Sequence, residues 1–211
     1  MQIVQILVGQ MAVYAYLVAC EQTQEAVVID PAGEEERILR EARQRGYKIV
    51  KIVNTHGHPD HTCGNKRMKE LTGAPIVVHA EDAGPMTSPH AAQFAAMLGC
   101  APTPPADETV NDGDEIAAGQ EVRLKVIHTP GHTPGCICLY TPGHVFTGDT
   151  LFVGGVGRTD LPGGSWSQMS DSIRQRILSL PDDTVVWPGH DYGPRPRSSV
   201  RAERETNPFL T

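Results

Sequence analysis

The chain has 211 residues, of which 39% are hydrophobic and 20% charged, and its formal net charge at pH 7 is -7. This length is sufficient for one substantial hydrophobic core and does not require two, so we expect residues 1–211 to form a single domain. The acidic balance excludes sequence-independent binding of nucleic acid, which requires a basic face. A small molecule is therefore the expected partner.

The sequence carries no signal for export or membrane insertion. Residues 1–4 lack the basic and apolar pattern of a secretion signal, and no apolar run approaches the ~20 residues that span a bilayer. We therefore expect a cytoplasmic protein that does not bind a membrane. The five cysteines are odd in number and scattered, which favours reduced thiols over a disulfide framework. Cys136 and Cys138 alternate along a strand-like segment, which predicts buried packing rather than metal binding.

Three predicted strands and a helix come first along the chain. Runs rich in β-branched residues predict strands over residues 2–8, 12–19 and 26–30, with a tight turn between the first two. A stretch that passes from acidic to basic side chains predicts a helix over residues 34–45, and Gly46 follows as a stop signal.

A fourth predicted strand, residues 49–54, leads into the sequence T-H-G-H-P-D-H at residues 55–61. Gly57 and Pro59 leave this stretch with neither the period of a helix nor the alternation of a strand, so we predict a loop. The loop follows the carboxyl end of a strand, which is where open α/β sheets form ligand sites.

The side chains of this loop predict a metal centre. Imidazole nitrogens and carboxylate oxygens suit zinc, iron, nickel and manganese. Alternation across the loop lets His56 and His58 converge while Asp60 and His61 face elsewhere, so two ions can be held. The alternative is a surface loop that is merely polar, but four candidate ligands within six residues argue against it.

The central part of the chain is less regular. A helix is predicted over residues 62–71 and a strand over residues 75–79, as expected for an α/β layer. Residues 81–107 lose periodicity, apart from a short helix near residues 91–98, and contain a rigid proline-rich run. We interpret this segment as a surface loop with modest helical content rather than as a cover for the metal site.

Three later strand-like runs each end in a glycine followed by a ligand-type side chain. Residues 122–127 lead to T-P-G-H-T-P-G, which contains His132. Asp149 follows the next run within F-T-G-D-T-L-F, and His190 follows the last within P-G-H-D-Y. Between these two runs, a helix is predicted over residues 165–180.

These motifs resemble those of the metallo-β-lactamase fold superfamily, on the branch of the glyoxalase II-like hydrolases and persulfide dioxygenases. They occur in the family's order across residues 55–192. The resemblance implies an α/β fold of the αββα type, in which two mixed β-sheets are flanked by helices. It also implies two metal ions, one held by His56, His58 and His132 and the other by Asp60, His61 and His190, with Asp149 as the bridge. We expect zinc, with iron or manganese as alternatives that accept the same ligand types.

Two further residues are assigned by the resemblance. A buried aspartate recurs near the metal loop in this family and corresponds to Asp30, which would support a ligand or, alternatively, act as a turn or helix cap. Arg158 falls where glyoxalase II enzymes carry a basic residue that holds the glutathione part of the substrate. The alternative for Arg158 is an ion pair with Asp160 within a structural turn.

The resemblance and the ligand set together predict a hydrolase that cleaves a thioester, such as a hydroxyacylglutathione, with a hydroxide that bridges two metal ions. Asp60 and Asp149 are the predicted catalytic residues, and Arg158 is predicted to bind an anionic, thiol-derived substrate. Larger glyoxalase II enzymes continue into a C-terminal helical domain that contacts glutathione. The sequence stops at Thr211 before any such domain, so we expect a short form with a shallower cleft.

Two rival functions stay open. Persulfide dioxygenases share the fold and several motifs and use a single iron, for which the matching residues here are His56, His132 and Asp149. The other rival is a metal-binding scaffold without catalysis. The scaffold is disfavoured because seven ligands are intact, whereas a structural zinc site is closed by four.

Overall fold

In the computed structural model, which describes residues 1–210, two mixed six-stranded sheets lie face to face. Helices cover the outer face of each sheet, so the layers follow the order helix, sheet, sheet, helix. This architecture confirms the predicted αββα fold. The assignment of residues 1–211 to one domain stays a prediction.

The first sheet combines antiparallel and parallel pairs. Its strands are β1 Gln2–Val8, β2 Val13–Ala19, β3 Glu25–Ile29, β4 Lys48–Val53, β5 Ile76–His79 and β6 Glu108–Val110. They lie side by side in chain order. β1, β2 and β3 pair antiparallel, whereas β3 to β6 pair parallel. The carboxyl ends of the parallel strands therefore meet at one edge.

The second sheet is mostly antiparallel. Its strands are β7 Glu115–Ala118, β8 Val122–His128, β9 Ile137–Thr141, β10 His144–Gly148, β13 Val185–Pro188 and β14 Ser198–Ser199. Their spatial order is β14-β13-β10-β9-β8-β7, and β10 runs parallel to β13. Two short strands, β11 Leu151–Phe152 and β12 Gly155–Val156, form a hairpin after β10.

Seven α-helices lie within residues 1–210. They are α1 Glu35–Gln44, α2 Pro59–Thr62, α3 Asn65–Thr72, α4 Ala80–Ala83, α5 Pro89–Met97, α6 Trp166–Ser172 and α7 Val200–Thr206. A 3₁₀ turn at Pro85–Thr87 follows α4, and a π-helical segment at Ile173–Ile177 extends α6. Across the described residues, no helix combines the length and the apolar character that crossing a bilayer requires.

Three apolar layers hold the sheets and helices together. Leu139 and Phe146 are buried between the two sheets. Met68 is buried beneath the helices of the first sheet, and Met169 beneath those of the second. β2 is buried along its whole length, because it lies between β1 and β3 and both of its faces are covered. Each such side chain contributes about 1.5–3 kcal/mol to folding.

The structure corrects the predicted loop at residues 55–61. Its second half is helical, because α2 begins at Pro59 and carries Asp60 and His61. Proline at the first helical position already has the backbone angle of a helix and lacks only an N–H that would be unpaired there. The helix predicted over residues 62–71 is accordingly divided between α2 and α3.

Residues 81–107 are more ordered than the sequence predicts. The end of α4, the 3₁₀ turn and α5 occupy most of the segment. Because α5 packs against α2, the segment covers the helix that carries Asp60 and His61. It is therefore part of the packed structure around the site rather than a plain surface loop.

Cys63 and Cys100 correct the expectation of reduced thiols. They form a disulfide, with Cα atoms 5.5 Å apart, that joins the end of α2 to the chain beyond α5. The two cysteines are 37 residues apart in sequence, and the packing of α5 on α2 brings them together. Cys136 and Cys138 are free and buried, as predicted.

Candidate metal centre

The predicted ligands come from both sheets and meet at one edge of the sandwich. In chain order they are His56 and His58 after β4, Asp60 and His61 in α2, His132 after β8, Asp149 after β10, and His190 after β13. All seven follow the carboxyl end of a strand, directly or through the short α2. The strand-end pattern in the sequence thus corresponds to one region of the fold.

His56, His58 and His132 form the first cluster. One ring nitrogen from each lies within 4.8 Å of the others, and His58 Nδ1 lies 2.8 Å from His132 Nε2. His56 Nε2 is buried and has no hydrogen-bond partner within residues 1–210. A buried nitrogen without a partner is costly unless a ligand meets it, so this atom fits a bound cation.

Asp60, His61 and His190 form the second cluster, again with one ligand atom each within 4.8 Å of the others. His61 Nε2 lies 3.1 Å from His190 Nε2, and His190 Nε2 lies 3.5 Å from Asp60 Oδ2. The two ring nitrogens and the carboxylate oxygen can all donate a lone pair to a metal ion.

Asp149 lies between the two clusters. Its Oδ1 lies 3.2 Å from His61 Nε2, and its Oδ2 lies 3.3 Å from His190 Nε2 and 3.5 Å from His132 Nε2. The carboxylate also groups with His56 and His61 within 4.8 Å. It is therefore within reach of both clusters, which is the position that a bridging ligand requires.

Close packing explains the glycine before Asp149 and before His190. A Cβ on Gly189 would lie 2.6 Å from Asp149 Oδ1, and one on Gly148 would collide with the Thr55 side chain. Gly148 also has a φ of +48°, which side chains other than glycine rarely adopt. The repeated glycine-ligand pattern therefore reflects how closely the strand ends approach one another.

Asp30 contacts the candidate ligand His61, as the first of the two roles considered for it requires. Its Oδ2 lies 3.0 Å from His61 Nδ1. The same carboxylate accepts hydrogen bonds from the Thr55 N–H at 2.8 Å and from the Thr55 hydroxyl at 2.7 Å. By engaging Nδ1, Asp30 leaves Nε2 of His61 for the cluster.

Backbone carbonyls orient two further rings in the same way. His132 Nδ1 donates to the Arg158 carbonyl at 2.7 Å, and His190 Nδ1 donates to the Met11 carbonyl at 2.8 Å. A carbonyl oxygen only accepts, so the proton of each neutral ring lies on Nδ1. The lone pair of each Nε2 is then available to a metal.

The charges of the centre are those of a cation site. Burial, together with neighbouring imidazoles, lowers the pKa of His56 and lowers the pKa of His58 to about 4. Burial alone would raise the pKa of Asp149, but the adjacent imidazoles, His61 first, hold it well below its usual value. Burial alone would lower the pKa of His61, yet neighbouring carboxylates, Asp149 first, raise it. The carboxylates that raise the pKa of His61 favour positive charge at the centre, and a divalent metal ion would supply that charge in place of a proton.

Arg158 is exposed, and its guanidinium makes two hydrogen bonds of 2.8 Å to the carboxylate of Asp160. This is the ion pair expected from the sequence as the alternative to substrate binding. The loop nevertheless borders the centre, because Gly157 packs so closely on the Asp149 carbonyl that any Cβ would collide with it. Substrate binding by Arg158 stays a prediction.

Two grooves flank the centre. One, of about 510 Å³, is lined by Arg158 and by the exposed rings of Trp166 and Phe209. The other, of about 410 Å³, is lined by Asp60, by the turn between β1 and β2, and by the disulfide.

Two residues beside the centre are not predicted from the sequence. Tyr192 stacks on the ring of His190, with centroids 4.4 Å apart, and its hydroxyl donates to the Met11 carbonyl at 3.2 Å. Asp82 lies behind the first cluster and accepts hydrogen bonds from both loops that form it. Tyr192 stands within P-G-H-D-Y, a motif that offers a signal. Asp82 stands in an irregular stretch that offers none.

Comparisons with known proteins bear on the family. A profile of the metallo-beta-lactamase superfamily matches residues 8–190. The chain is 37% identical over 182 residues to a hydroxyacylglutathione hydrolase of Polaromonas sp., which covers 85% of this chain and 62% of that enzyme. It is 33% identical over 201 residues to the persulfide dioxygenase ETHE1 of Homo sapiens, which covers 94% of this chain and 71% of that protein. The chain thus spans less than two thirds of the hydroxyacylglutathione hydrolase.

Solved structures share the whole fold. The BLEG-1 B3 metallo-beta-lactamase has a TM-score of 0.89 and 30% sequence identity, with 100% of both chains covered. The structure of TTHA1623 in a di-iron-bound form has a TM-score of 0.86 and 34% identity, and covers 98% of this chain and 100% of that one. With its motifs, its αββα layers and its histidine-aspartate cluster in agreement, this chain belongs to the metallo-beta-lactamase superfamily.

Proposed function

We propose that this protein is a metal-dependent hydrolase that cleaves a small thioester of the hydroxyacylglutathione type. The observation that carries the proposal is the pair of ligand clusters that meet at Asp149, because two adjacent ions are an arrangement that enzymes use to hydrolyse substrates. Similarity to a hydroxyacylglutathione hydrolase supports the substrate class. The net charge of -7 fits a small-molecule substrate better than nucleic acid.

Two divalent transition-metal ions are the proposed cofactors. Zinc suits the ligand set, iron and manganese accept it as well, and similarity to a protein with a di-iron-bound form fits two adjacent ions. When bound, such ions polarise a carbonyl oxygen and lower the pKa of a coordinated water. The proposed ligands are His56, His58 and His132 for the first ion and Asp60, His61 and His190 for the second, with Asp149 reaching both.

The chain's own residues prepare the centre for this chemistry. Asp30 and the carbonyls of Arg158 and Met11 hold three imidazoles with Nε2 toward the clusters, so these rings need little reorganisation when they bind a cation. Asp60 and Asp149 contribute two negative charges. These offset only part of the charge of two divalent ions, and the site stays attractive to a developing oxyanion.

The two grooves suit a substrate with one anionic arm. Arg158 would exchange the carboxylate of Asp160 for one on the substrate, while Trp166 lines the same groove with apolar surface. The other groove carries Glu34 and Glu35, whose charge favours an uncharged acyl arm. We therefore expect the thiol-derived arm beside Arg158 and the acyl arm beside the second cluster.

A persulfide dioxygenase is the second candidate function. It is favoured by 33% identity to human ETHE1 over 94% of this chain. Such an enzyme would use a single iron held by His56, His132 and Asp149. The second cluster would then have no role, although its three side chains are assembled here. For that reason we favour the hydrolase over the dioxygenase.

The test offers one preparation two substrates, after loading with zinc or with iron(II). S-lactoylglutathione is supplied without oxygen, and glutathione persulfide is supplied with it. We expect thioester cleavage and no oxygen uptake. Oxygen uptake on the persulfide, with no thioester cleavage by either form, would establish the dioxygenase instead. His190→Ala is the matched variant, since loss of the second cluster should abolish hydrolysis but spare a mononuclear dioxygenase.

A further inference from the structure

Asp82 is a buried aspartate outside both ligand clusters. It lies in α4, and its side chain is 1% exposed. Oδ2 accepts hydrogen bonds from the Gly57 N–H and the Thr133 hydroxyl, both at 2.7 Å. Oδ1 accepts one from the Gly135 N–H at 2.8 Å. An ionised carboxylate, which only accepts, matches these three donors.

The three donors belong to the two loops that carry the first cluster. Gly57 stands between His56 and His58, and Thr133 follows His132 directly. Only one backbone hydrogen bond links these loops where they leave the sheets, from the Ile137 N–H to the Thr55 carbonyl at 2.9 Å, among the contacts of residues 1–210. Asp82 supplies the connection at the loop tips, next to the imidazoles.

The shape of both loops allows the carboxylate to enter between them. A Cβ on Gly135 would lie 2.6 Å from the carboxyl carbon of Asp82, which is far inside van der Waals contact. A Cβ on Gly57 would lie 3.0 Å from the Met86 Cβ and 3.3 Å from the Asp82 carbonyl oxygen, so this side also leaves little spare room. The glycine at position 135 therefore makes space for the Asp82 carboxylate.

The imidazoles also meet across the loop tips, because His58 Nδ1 lies 2.8 Å from His132 Nε2. A metal ion would take the lone pairs of both nitrogens, so this contact would be lost when the ion binds. The hydrogen bonds to Asp82 use no candidate ligand atom, so they can hold the two loops at one distance before and after the ion binds.

We propose that Asp82 is a positioning residue for the first metal ion. Its carboxylate sets the distance between the two loops and thereby the affinity of the cluster formed by His56, His58 and His132, without contacting the ion. The inference rests on metal binding at that cluster and not on the thioester substrate. It can therefore succeed or fail independently of the proposed reaction.

The experiment measures zinc binding by the metal-free protein in competition with a chromophoric chelator. Asp82→Asn keeps the size of the side chain but turns an NH₂ group toward at least one N–H or hydroxyl donor. We expect one of the two binding steps to weaken about ten- to hundredfold, the range typical of residues that orient metal ligands, while the other step stays within a few fold. Cobalt(II) absorption should show the same loss of one coordination site.

The matched control is Asp107→Asn. Asp107 also accepts a backbone hydrogen bond, from the Ile76 N–H at 2.8 Å, and pairs with Lys69, but it lies away from both clusters. This variant should lose thermal stability and keep both zinc affinities. The comparison separates positioning of the cluster from support of the fold in general.

Gly135→Ala and Thr133→Val test the same contact if Asp82→Asn fails to fold. The first pushes the carboxylate away, and the second removes one donor while keeping the shape of the side chain. Each should weaken the same binding step, Thr133→Val by the smaller factor. Unchanged zinc affinities in a folded variant of Asp82, or equal weakening of both steps, would overturn the proposal.

Discussion

Asp149 is the residue on which both clusters depend. Its two oxygens lie within 3.5 Å of imidazoles from each cluster, and its carboxylate is ionised because those imidazoles outweigh the effect of burial. No other side chain among residues 1–210 groups with both His61 and His56 as a candidate ligand. The charge at this one position therefore affects both ions.

Asp149→Asn should abolish hydrolysis and leave the fold in place. The amide has nearly the same size but lacks the negative charge that attracts two cations, so both ions should bind more weakly. Metal content after dialysis reports the binding of the ions, turnover reports hydrolysis, and circular dichroism reports the fold. Asp171→Asn, on the exposed side of α6, is the control. Wild-type turnover of Asp149→Asn with metal present would contradict the bridging role.

Arg158 and Asp160 form an exposed ion pair that competes with the proposed substrate contact. Arg158→Ala should raise the KM for an anionic thioester about tenfold, with a smaller change in kcat. Asp160→Asn should act in the opposite direction and lower KM, because it frees the guanidinium. Initial rates on S-lactoylglutathione test both variants. If both substitutions raise KM equally, the pair has a structural role in the turn and does not bind substrate.

At the scale of elements, the segment between β5 and β6 is tied to the metal loops at both of its ends. Asp82 in α4 holds the loop tips, and the disulfide from Cys100 reaches Cys63 at the end of α2. The hydroxyl of Thr103 further accepts a hydrogen bond from Asn65 at the start of α3. The segment thus restrains the helix that carries two of the candidate ligands.

Loss of the disulfide should therefore lower the free energy of unfolding by more than a substitution of an exposed residue does. Closing a loop of 37 residues stabilises the fold by about 3–4 kcal/mol in the chain-entropy description. The double variant Cys63→Ser with Cys100→Ser should unfold at lower urea concentration than the wild type. Reductant should shift the wild type by a similar amount and leave the variant unchanged. A wild-type midpoint that is insensitive to reductant would contradict the bond.

At the scale of the whole molecule, the candidate metal centre joins the two sheets. His56, His58, Asp60 and His61 follow β4 of the first sheet, whereas the other candidate ligands follow strands of the second. Bound ions would therefore connect the two halves of the sandwich at one edge. Binding to the folded state alone stabilises it by mass action.

Chelation should accordingly lower the melting temperature of the loaded protein. Each ion present at about a thousand times its Kd stabilises by roughly 4 kcal/mol, which is about 10 °C for a chain of this size. Calorimetry with and without chelator measures the shift, and metal analysis should give two ions per chain before treatment. His61→Ala should show a smaller shift. If chelator does not change the melting temperature of the metal-loaded protein, the ions do not stabilise the fold.

Several features of this protein follow from its sequence alone. The strands end where β-branched runs give way to glycine, and the clustered histidines and aspartates identify candidate ligands, because alternation and turn chemistry are local properties. Pro59 shows where local patterns are insufficient. A proline can interrupt a helix or begin one, and the residues that follow Pro59 determine that it begins α2.

Only the tertiary structure decided which distant groups meet. Asp82 and Gly135 are far apart in the sequence, as are Cys63 and Cys100, and their contacts arise from the stacking of two sheets and the packing of α5 on α2. The ion pair of Arg158 with Asp160 is likewise a side-chain contact that the sequence left open and the structure shows. A local pattern specifies the chemistry of a side chain. Its neighbours across the fold depend on how the layers pack, because contacts between distant residues form only when the layers come together.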